Sequence, residues 1–283
     1  MKILVANPAG NITVFVLDTI ESSAKRKAIA RAIMAEKKFG AEQVGFVFPP
    51  GFSSSGSARS NALWHLEMSG GEFCGNAARS FGLYVARILK LEGRTKITVS
   101  VSGADEPVTV ELDMEKSLAA AELPKPKTIE TLDYSGRYLP ALCFEGITHI
   151  IAAGIKPDRK IFFDILALAE KKLKHFPALG VMFCEFTGAN SAGLAPARLA
   201  SVLMQPAVYV RSIDSFVFES SCGSGSSAMG AWLSREMQNG AEKYAISQPG
   251  GIIETEVIKR AGEIISITIG GEVKLGEPED FST

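Results

Sequence analysis

Apolar and polar residues follow each other along the first 48 positions in a pattern that predicts strands around one helix. The runs ILVAN (3–7) and TVFVL (13–17) are apolar and rich in β-branched residues, and PAGN between them predicts a hairpin. Residues 21–39 place apolar side chains on one face among lysines and arginines, which predicts a helix with Gly40 as its C-terminal cap. A strand is predicted for QVGFVF (43–48).

The next segment predicts a buried helix between strands. ALWHLEM (62–68) has a strand pattern, and the serine- and glycine-rich loop PPGFSSSGSARS (49–60) before it is expected to be mobile. After Cys74 a nearly all-apolar helix is predicted to end near Gly93, and a helix without a polar face is typical of a core. KITVSVSG (96–103) and VTVELD (108–113) predict two strands, and LPKPKT (123–128) a linker between domains.

The second half repeats this plan. ALCFEGITHIIAAG (141–154) is predicted to form a strand, residues 158–175 an amphipathic helix with His175 on the surface, and GVMFCEF (180–186) another strand. Further strands are predicted near 207–211 and 215–219, and Cys222 follows them.

Glycines after the two cysteines recur at matched offsets. The three pairs are Gly82 and Gly230, both 8 residues after their cysteine, the predicted helix-ending Gly93 and Gly240, 19 and 18 residues after, and Gly103 and Gly251, both 29 residues after. The two cysteines are 148 residues apart. A repeat of this period is too long for a solenoid unit and indicates a duplicated domain.

The predicted fold class is therefore α/β (α+β), with two pseudo-symmetric domains. Each domain is predicted to be a β-barrel-like sheet around a central helix, with the active site in the cleft between the domains. The predicted boundaries are 1–122 for the N-terminal domain and 123–267 for the C-terminal domain, with the last strand, about 268–283, packing back on the first.

Composition narrows the classes of partner. The 283 residues carry 30 lysines and arginines against 31 acidic residues, so the near-zero net charge argues against a nucleic-acid or membrane partner and favours a small molecule. We expect no signal peptide or membrane span, and hence a cytoplasmic protein. The four cysteines are then expected to be thiols, since no C-x-x-C pair indicates zinc or a redox motif.

Two of the cysteines stand out by their setting. Cys143 and Cys184 lie inside apolar strand runs, where packing is the expected role. A lone cysteine-glycine pair is also more typical of packing, but Cys74 and Cys222 recur in matched, glycine-rich helix starts. A thiol at a helix N-terminus feels the positive end of the helix dipole, which lowers its pKa. This recurrence favours chemistry at both thiols.

The chemistry that suits two such thiols is inversion of a carbon next to a carboxylate. One thiolate removes the α-hydrogen while the second thiol delivers a proton to the opposite face. Backbone amides at the helix starts, with Gly75 and Asn76 in one and Gly223 and Ser224 in the other, can bind the carboxylate and stabilise the developing negative charge. Neither a metal nor a pyridoxal cofactor is required, and no cofactor is predicted.

At these residues the chain resembles the diaminopimelate epimerase-like family of cofactor-independent racemases, epimerases and isomerases. The similarity spans the whole chain and rests on Gly10-Asn11, EQVGF (42–46), CGNAAR (74–79), CGSG (222–225) and QPGG (248–251). The paired cysteine motifs are the specific part of it. The resemblance implies a pseudo-symmetric two-domain fold with Cys74 and Cys222 as the acid/base pair.

Departures from the family pattern bear on the substrate. Diaminopimelate epimerases carry a Glu-Arg pair before the second cysteine that helps hold the diamino diacid, whereas this chain reads SIDSFVFESSC. His65 replaces a substrate-binding asparagine, and GNPH reads GITH at 146–149. The pattern is more similar to the histidine racemases of opine-metallophore biosynthesis, including His65 and His149. The resemblance therefore implies an amino-acid racemase, with histidine as the leading substrate.

The candidate substrate-binding residues each carry a structural alternative. They are Asn11, Glu42, Gln43, His65, Gly75, Asn76, His149, Gly223 and Ser224. Asn11 contacts the substrate carboxylate or fixes the hairpin, and Glu42 and Gln43 are otherwise solvated residues at a strand end. His65 and His149 are ligand contacts or satisfied core histidines.

Competing functions remain open on the sequence alone. They are a diaminopimelate epimerase or another amino-acid epimerase, a phenazine-type isomerase of the same fold, and a non-catalytic module that binds small anions. The expected partner is an amino-acid substrate, with neither nucleic acid nor membrane, and a homodimer is compatible with the sequence.

Overall fold

The computed structural model describes residues 1–51, 63–173, 176–187, 201–211 and 214–282. Most of the predicted loop at 49–60, and His175, lie outside these residues. The chain divides into two compact units, which are described separately. Unit 1 comprises Met1–Glu122 and Gly270–Thr283, and unit 2 comprises Leu123–Ile269.

Unit 1 is a sheet built around a helix. Its elements in chain order are β1 (Lys2–Asn7), β2 (Thr13–Val16), α1 (Ser23–Ala35), β3 (Gln43–Phe48), β4 (His65–Met68), α2 (Gly75–Ile88), β5 (Arg94–Val101), β6 (Val108–Asp113) and β7 (Leu118–Leu123). The hairpin partners β1 and β2 are antiparallel, β3 is parallel to β2, and β4 is antiparallel to β3. After α2, β5 lies parallel to β4, and β6 and β7 continue in antiparallel order.

Unit 2 contains the middle strands and the other two helices. Its elements are β8 (Thr128–Tyr134), β9 (Arg137–Cys143), β10 (Ile147–Ala153), α3 (Arg159–Lys172), β11 (Ala178–Thr187), β12 (Ser201–Val210), β13 (Ser215–Phe218), α4 (Gly223–Leu233), β14 (Gly240–Gln248) and β15 (Gly251–Arg260). The chain continues through β16 (Glu263–Glu272), β17 (Lys274–Leu275) and β18 (Glu279–Asp280). The last two strands lie in unit 1, where both pair with β1.

The two units repeat one strand and helix order. In unit 2, β9 and β10 are antiparallel, β11 follows α3 parallel to β10, and β12 is antiparallel to β11. After α4, β14 is parallel to β12 and β15 antiparallel to β14, as β5 and β6 are after α2. Unit 2 also has β8, which pairs with β9 at its start, and β13, which pairs with β12 before α4 begins. The mixed α/β fold and the repeated plan predicted from the sequence are confirmed.

Each unit has a central helix in its core. All residues of α2 from Gly75 to Ala86 are buried, as predicted from their apolar pattern. The matched glycines let each helix approach a strand closely. A Cβ at Gly82 would lie 2.7 Å from the side chain of Val110 in β6, and one at Gly230 would lie 2.5 Å from Thr255 in β15. The matched offsets therefore reflect the same contact between helix and strand in both units.

Three glycines predicted to end helices do not do so. Helix α1 ends at Ala35 because the backbone at Glu36 is extended, and Gly40 lies at a later turn with φ +57°. Helix α2 ends at Ile88, whereas Gly93 lies in the turn into β5. Helix α4 ends at Leu233, and Gly240 begins β14 with φ +112°. The last two glycines mark the start of the next strand, where a positive φ is required.

The predicted single strand at 141–154 is two antiparallel strands, β9 and β10. The chain turns at Gly146, where φ is +84°, and the Phe144 amide donates to the carbonyl of Ile147 at 2.9 Å. Cys143 ends β9 and is partly buried. Cys184 is 2% exposed within the core beside α4, in agreement with a packing role.

Candidate active site

The first candidate centre is the thiol of Cys74, which is the N-cap residue of α2. Its backbone is extended, with φ −128° and ψ 114°, and its Sγ accepts a hydrogen bond from the amide of Ala77 at 3.5 Å. Its carbonyl accepts the first helical bond, from Ala78, at 2.9 Å. Sulfur thus takes the capping position that serine or aspartate oxygen usually occupies, where it faces free amides and the positive end of the helix dipole.

A chain of fixed amides lies beside Cys74. Asn11 Nδ2 donates to Glu42 Oε2 at 2.8 Å, and Asn76 Nδ2 donates to Asn11 Oδ1 at 3.4 Å. Arg79 Nε donates to Asn76 Oδ1 at 3.1 Å, so an ion stands at each end of the two amides. These partners orient the Asn11 amide with its oxygen toward the thiol, at 3.9 Å from Cys74 Sγ.

The surroundings of Cys74 act on its pKa in both directions. The net effect raises that pKa to about 11, chiefly through burial and also through the charge of Glu72. Hydrogen bonds from the Ala77 and Asn76 amides and from the Gln43 side chain lower the pKa, because they stabilise the thiolate. The predicted residues Asn11, Gln43 and Asn76 thus lie at this thiol, with Glu42 beside Asn11.

The second candidate centre is Cys222, the N-cap residue of α4. Its φ of −129° and ψ of 113° nearly equal those of Cys74, and its Sγ accepts a hydrogen bond from the amide of Gly225 at 3.4 Å. The Cys222 amide donates to Gln248 Oε1 at 2.8 Å, and Gln248 Nε2 donates to Ser226 Oγ at 3.0 Å. One glutamine side chain therefore ties the end of β14 to the start of α4.

A histidine reaches Cys222 through a serine. His149 Nε2 lies 2.9 Å from Ser224 Oγ, which lies 3.5 Å from Cys222 Sγ. His149 is fully buried, and burial lowers its pKa to about 3, so the imidazole is neutral at physiological pH. The His149 imidazole fits at this position because residue 180 is a glycine, since a Cβ at Gly180 would overlap His149 Nδ1.

Charge around Cys222 favours the thiol form. Burial is the largest influence and raises the Cys222 pKa well above its usual value. The Glu219 carboxylate raises it further, both by its charge and by a hydrogen bond with the protonated sulfur, whereas the Ser224 hydroxyl and the Gly225 amide lower it. Glu219 precedes Cys222 by three residues, much as Glu72 precedes Cys74 by two.

His65 has a different setting from His149. Its Nδ1 lies 3.0 Å from Ser100 Oγ and its Nε2 lies 3.1 Å from Glu67 Oε2, within the sheet of unit 1. Both ring nitrogens therefore have partners in unit 1, as the alternative of a satisfied core histidine requires. Contact of His65 with substrate stays a prediction.

Two buried residues at the centres were not among the sequence candidates. Arg79 and Gln248 lie in the motifs CGNAAR and QPGG, so both were within segments that the sequence had marked. The signal that was available is their residue type: a charged or amide side chain beside a predicted buried helix must find hydrogen-bond partners there.

Other kinds of site are not seen in the described ranges. Within residues 1–51, 63–173, 176–187, 201–211 and 214–282, no group of three or more His, Cys, Asp or Glu is placed to hold a metal. No helix in the same ranges is long and apolar enough to span a membrane. A cavity of about 270 Å³ in unit 2 is bordered by Cys184, Gln205 and Gln248. Gln248, which accepts a hydrogen bond from the Cys222 amide, is thus shared by this cavity and the thiol centre, whereas Cys222 and His149 themselves do not line the cavity.

Comparison with known sequences links the chain to one family. Residues 1–277 match the family described as the histidine racemase CntK N-terminal domain. A histidine racemase from Fusobacterium nucleatum subsp. nucleatum is 30% identical over 285 residues, which cover 96% of this chain and 95% of that protein. A histidine racemase from Staphylococcus aureus is 27% identical over 259 residues, covering 87% and 85%.

A solved structure shares the fold. The crystal structure of a hydroxyproline epimerase from Agrobacterium vitis superimposes with a TM-score of 0.60, over 99% of this chain and 90% of that chain. The two sequences are 13% identical, so the similarity establishes the fold alone.

Proposed function

The chain belongs to the histidine racemase family, and from that premise we propose that it interconverts L- and D-histidine with Cys74 and Cys222 as its two acid/base residues. Its class as an amino-acid racemase, and hence an isomerase, follows from the family. The observation that carries the two-thiol mechanism is the pair of matched helix caps. Each sulfur accepts the amide three residues later, in the first turn of a buried helix, and the two cysteines have nearly equal backbone angles.

The proposed reaction moves one proton off and one proton on. The thiolate of one cysteine takes the α-hydrogen, so the Cα–H bond breaks, an S–H bond forms, and the electron pair passes into the carboxylate as an enediolate. The S–H of the other cysteine then breaks and its proton adds to the opposite face of Cα. Each turnover exchanges the protonation states of the two sulfurs, and the reverse reaction or solvent restores them.

The starts of α2 and α4 are proposed to stabilise the negative charge that develops on the substrate carboxylate. The amides of Gly75 and Asn76, and those of Gly223 and Ser224, belong to first turns, whose N–H groups lack partners within the helix. Such amides bind a carboxylate and stabilise the charge that develops on it in the transition state. Ser224 and Asn11 are proposed as side-chain contacts of the substrate head group.

The proposed substrate has one amino-acid head group. The segment before Cys222 lacks the Glu-Arg pair of diaminopimelate epimerases, and described strand β13 lies there instead. Histidine is proposed because curated relatives with that activity align over most of the chain. His65, nine residues before Cys74, is proposed as a further contact of the substrate.

Deuterium incorporation tests the activity and the substrate together. The reduced protein is incubated in deuterium oxide with each L-amino acid. The two enantiomers are then separated, and the deuterium content of each is measured by mass spectrometry. We expect α-deuterium in L- and D-histidine, and at least tenfold less with lysine or diaminopimelate. The double variant Cys74→Ser with Cys222→Ser is the blank. Absence of exchange with every amino acid contradicts the racemase, and exchange with another amino acid alone changes the substrate but not the mechanism.

A further inference from the structure

A buried cation lies one helical turn beyond the first thiol. Arg79 is in α2, five residues after Cys74, and its side chain is 0% exposed. Its Nε donates to Asn76 Oδ1, and its Nη1 donates to the carbonyl of Gly271 at 3.1 Å. Its Nη2 is buried and has no hydrogen-bond partner in the described part of the chain. Arg79 also forms no ion pair with a described carboxylate.

A buried charge without a counter-ion is costly, so its surroundings are expected to supply one. The ionisable group that acts on Arg79 is Cys74: burial lowers the pKa of Arg79 and the charge of Cys74 partly offsets this, which leaves the pKa at about 10. Glu42 stands two amides away, beyond Asn76 and Asn11. The thiolate of Cys74 is thus the anion that would compensate Arg79.

The second helix has no such cation at the matched position. Five residues after Cys222 lies Ser227, which is also fully buried and whose Oγ has no hydrogen-bond partner in the described ranges. The charged group that acts on Cys222 is the Glu219 carboxylate, which favours the thiol. The ionisable residue behind Ser224 is His149, which is neutral. The two thiols therefore share a backbone and each has a carboxylate nearby, Glu72 or Glu219, but α2 also carries the buried cation Arg79 and α4 carries no charged residue.

We propose that Arg79 is a positioning residue whose buried charge makes Cys74 ionise before Cys222, so that Cys74 is the base and Cys222 the acid in the singly ionised enzyme. This assignment of roles rests on the proposed two-thiol mechanism. At Cys74 the Glu72 carboxylate opposes ionisation, whereas the Ala77 and Asn76 amides and the Gln43 side chain favour it. Arg79 itself does not touch substrate, since it has no exposed surface.

The order of ionisation is measured without substrate. The full chain is labelled with ¹³C at cysteine Cβ only, each signal is assigned by a single cysteine-to-serine variant, and the shifts are followed with pH. We expect the Cys74 signal to move at lower pH than the Cys222 signal. A Cys222 signal that moves first overturns the proposal, whatever any variant does.

The role of Arg79 is measured with neutral and charged replacements. Arg79→Met is expected to raise the Cys74 midpoint by about one pH unit, which lowers the rate of Cys74 alkylation by iodoacetamide at pH 8 about tenfold. The Cys222 rate should change less than twofold. Arg79→Lys keeps the charge and should keep the Cys74 rate within about threefold, and Arg79→Gln is the neutral replacement if the methionine variant does not fold. An unchanged Cys74 rate in a folded neutral variant overturns the proposal.

A matched control removes a charge from the same helix. Arg87 lies in α2, is 44% exposed at its side chain and pairs with Glu277. Arg87→Met should leave the titration midpoints and the alkylation rates of Cys74 and Cys222 the same as in the unaltered chain. Thiol titration tests the order of ionisation, and deuterium exchange tests the racemase activity, so the two proposals can fail separately. A chain without racemase activity can still show Cys74 ionising first, and an active racemase can show Cys222 ionising first.

Discussion

The starts of α2 and α4 have the same backbone and different surroundings. Cys74 and Cys222 share φ and ψ within 1°, and each sulfur accepts the amide three residues later. The side chains around them differ. Two asparagines, a glutamine and a glutamate lie near Cys74, with the buried Arg79 behind Asn76, whereas a serine and a glutamate lie near Cys222, with the neutral His149 behind Ser224. The repeated backbone supplies two equivalent thiol positions, and the unlike side chains allow the two thiols different protonation states.

The largest expected effect comes from removing either sulfur. Cys74→Ser and Cys222→Ser should each lower racemisation by about a thousandfold or more, because a serine hydroxyl is a far weaker acid than a thiol and does not replace either proton transfer. Chiral chromatography of histidine measures the rate. One-directional α-hydrogen exchange can survive in either variant. Cys143→Ser, at a cysteine outside both helix caps, should keep activity. Normal racemisation in either cap variant contradicts the two-thiol mechanism.

The next effect is a pH dependence of stability that comes from the buried histidine of unit 2. Burial lowers the pKa of His149 from 6.5 to about 3. The unfolded chain therefore binds a proton that the folded chain does not, and folded-state stability, complete above pH 6.5, falls as the pH is lowered toward 3. The expected slope is about 1.4 kcal/mol per pH unit from this residue.

Urea unfolding between pH 4 and 7.5 measures that slope. His149→Gln should reduce the slope of the free energy of unfolding against pH by an amount that corresponds to up to about one bound proton over this range. Ser224→Ala breaks the hydrogen bond but keeps the titrating group, so it should keep the steep curve. Equal slopes in the unaltered chain and in His149→Gln would show that His149 is not held neutral.

A smaller effect tests whether the two helices pack equivalently. Gly82→Ala and Gly230→Ala should each reduce the free energy of unfolding by about 1–3 kcal/mol, because the added Cβ overlaps Val110 or Thr255. Denaturant titration measures both values. Val110→Ala removes the overlapping methyls and should recover part of the loss in Gly82→Ala but none in Gly230→Ala. Recovery in both, or in neither, contradicts the proposed contacts.

The smallest effect concerns the serine that joins His149 to Cys222. Ser224→Ala should lower kcat about tenfold, since its hydroxyl orients the thiol, and should raise KM about threefold, because the proposed side-chain contact with the substrate is lost while the backbone amide remains. Ser224→Thr keeps the hydroxyl and should recover most of kcat. Steady-state racemisation rates measure both constants. A large rise in KM without a fall in kcat would place Ser224 in substrate binding alone.

Local signals explain how much of the fold the sequence predicted. The hairpin of β1 and β2, the start and burial of α2, and the repeat of strand and helix order followed from apolar periodicity and matched glycines. The errors are also local. The pattern predicts helix caps at Gly93 and Gly240, because a glycine a few residues past an apolar run fits both a cap and a turn into a strand. The turn at Gly146 was missed because apolar residues flank it on both sides.

The residue order is enough to predict the two cysteine-glycine helix starts, their duplication and the similarity to a racemase family, since these depend on neighbouring residues and on spacing along the chain. Tertiary structure alone decided which side chains surround each sulfur. Asn11 reaches Cys74 from 63 residues away, and His149 reaches Ser224 from 75 residues away. Hydrogen bonds and charges act through distance in space, which the order of residues does not specify, and so the difference between the two thiols emerged only from the folded chain.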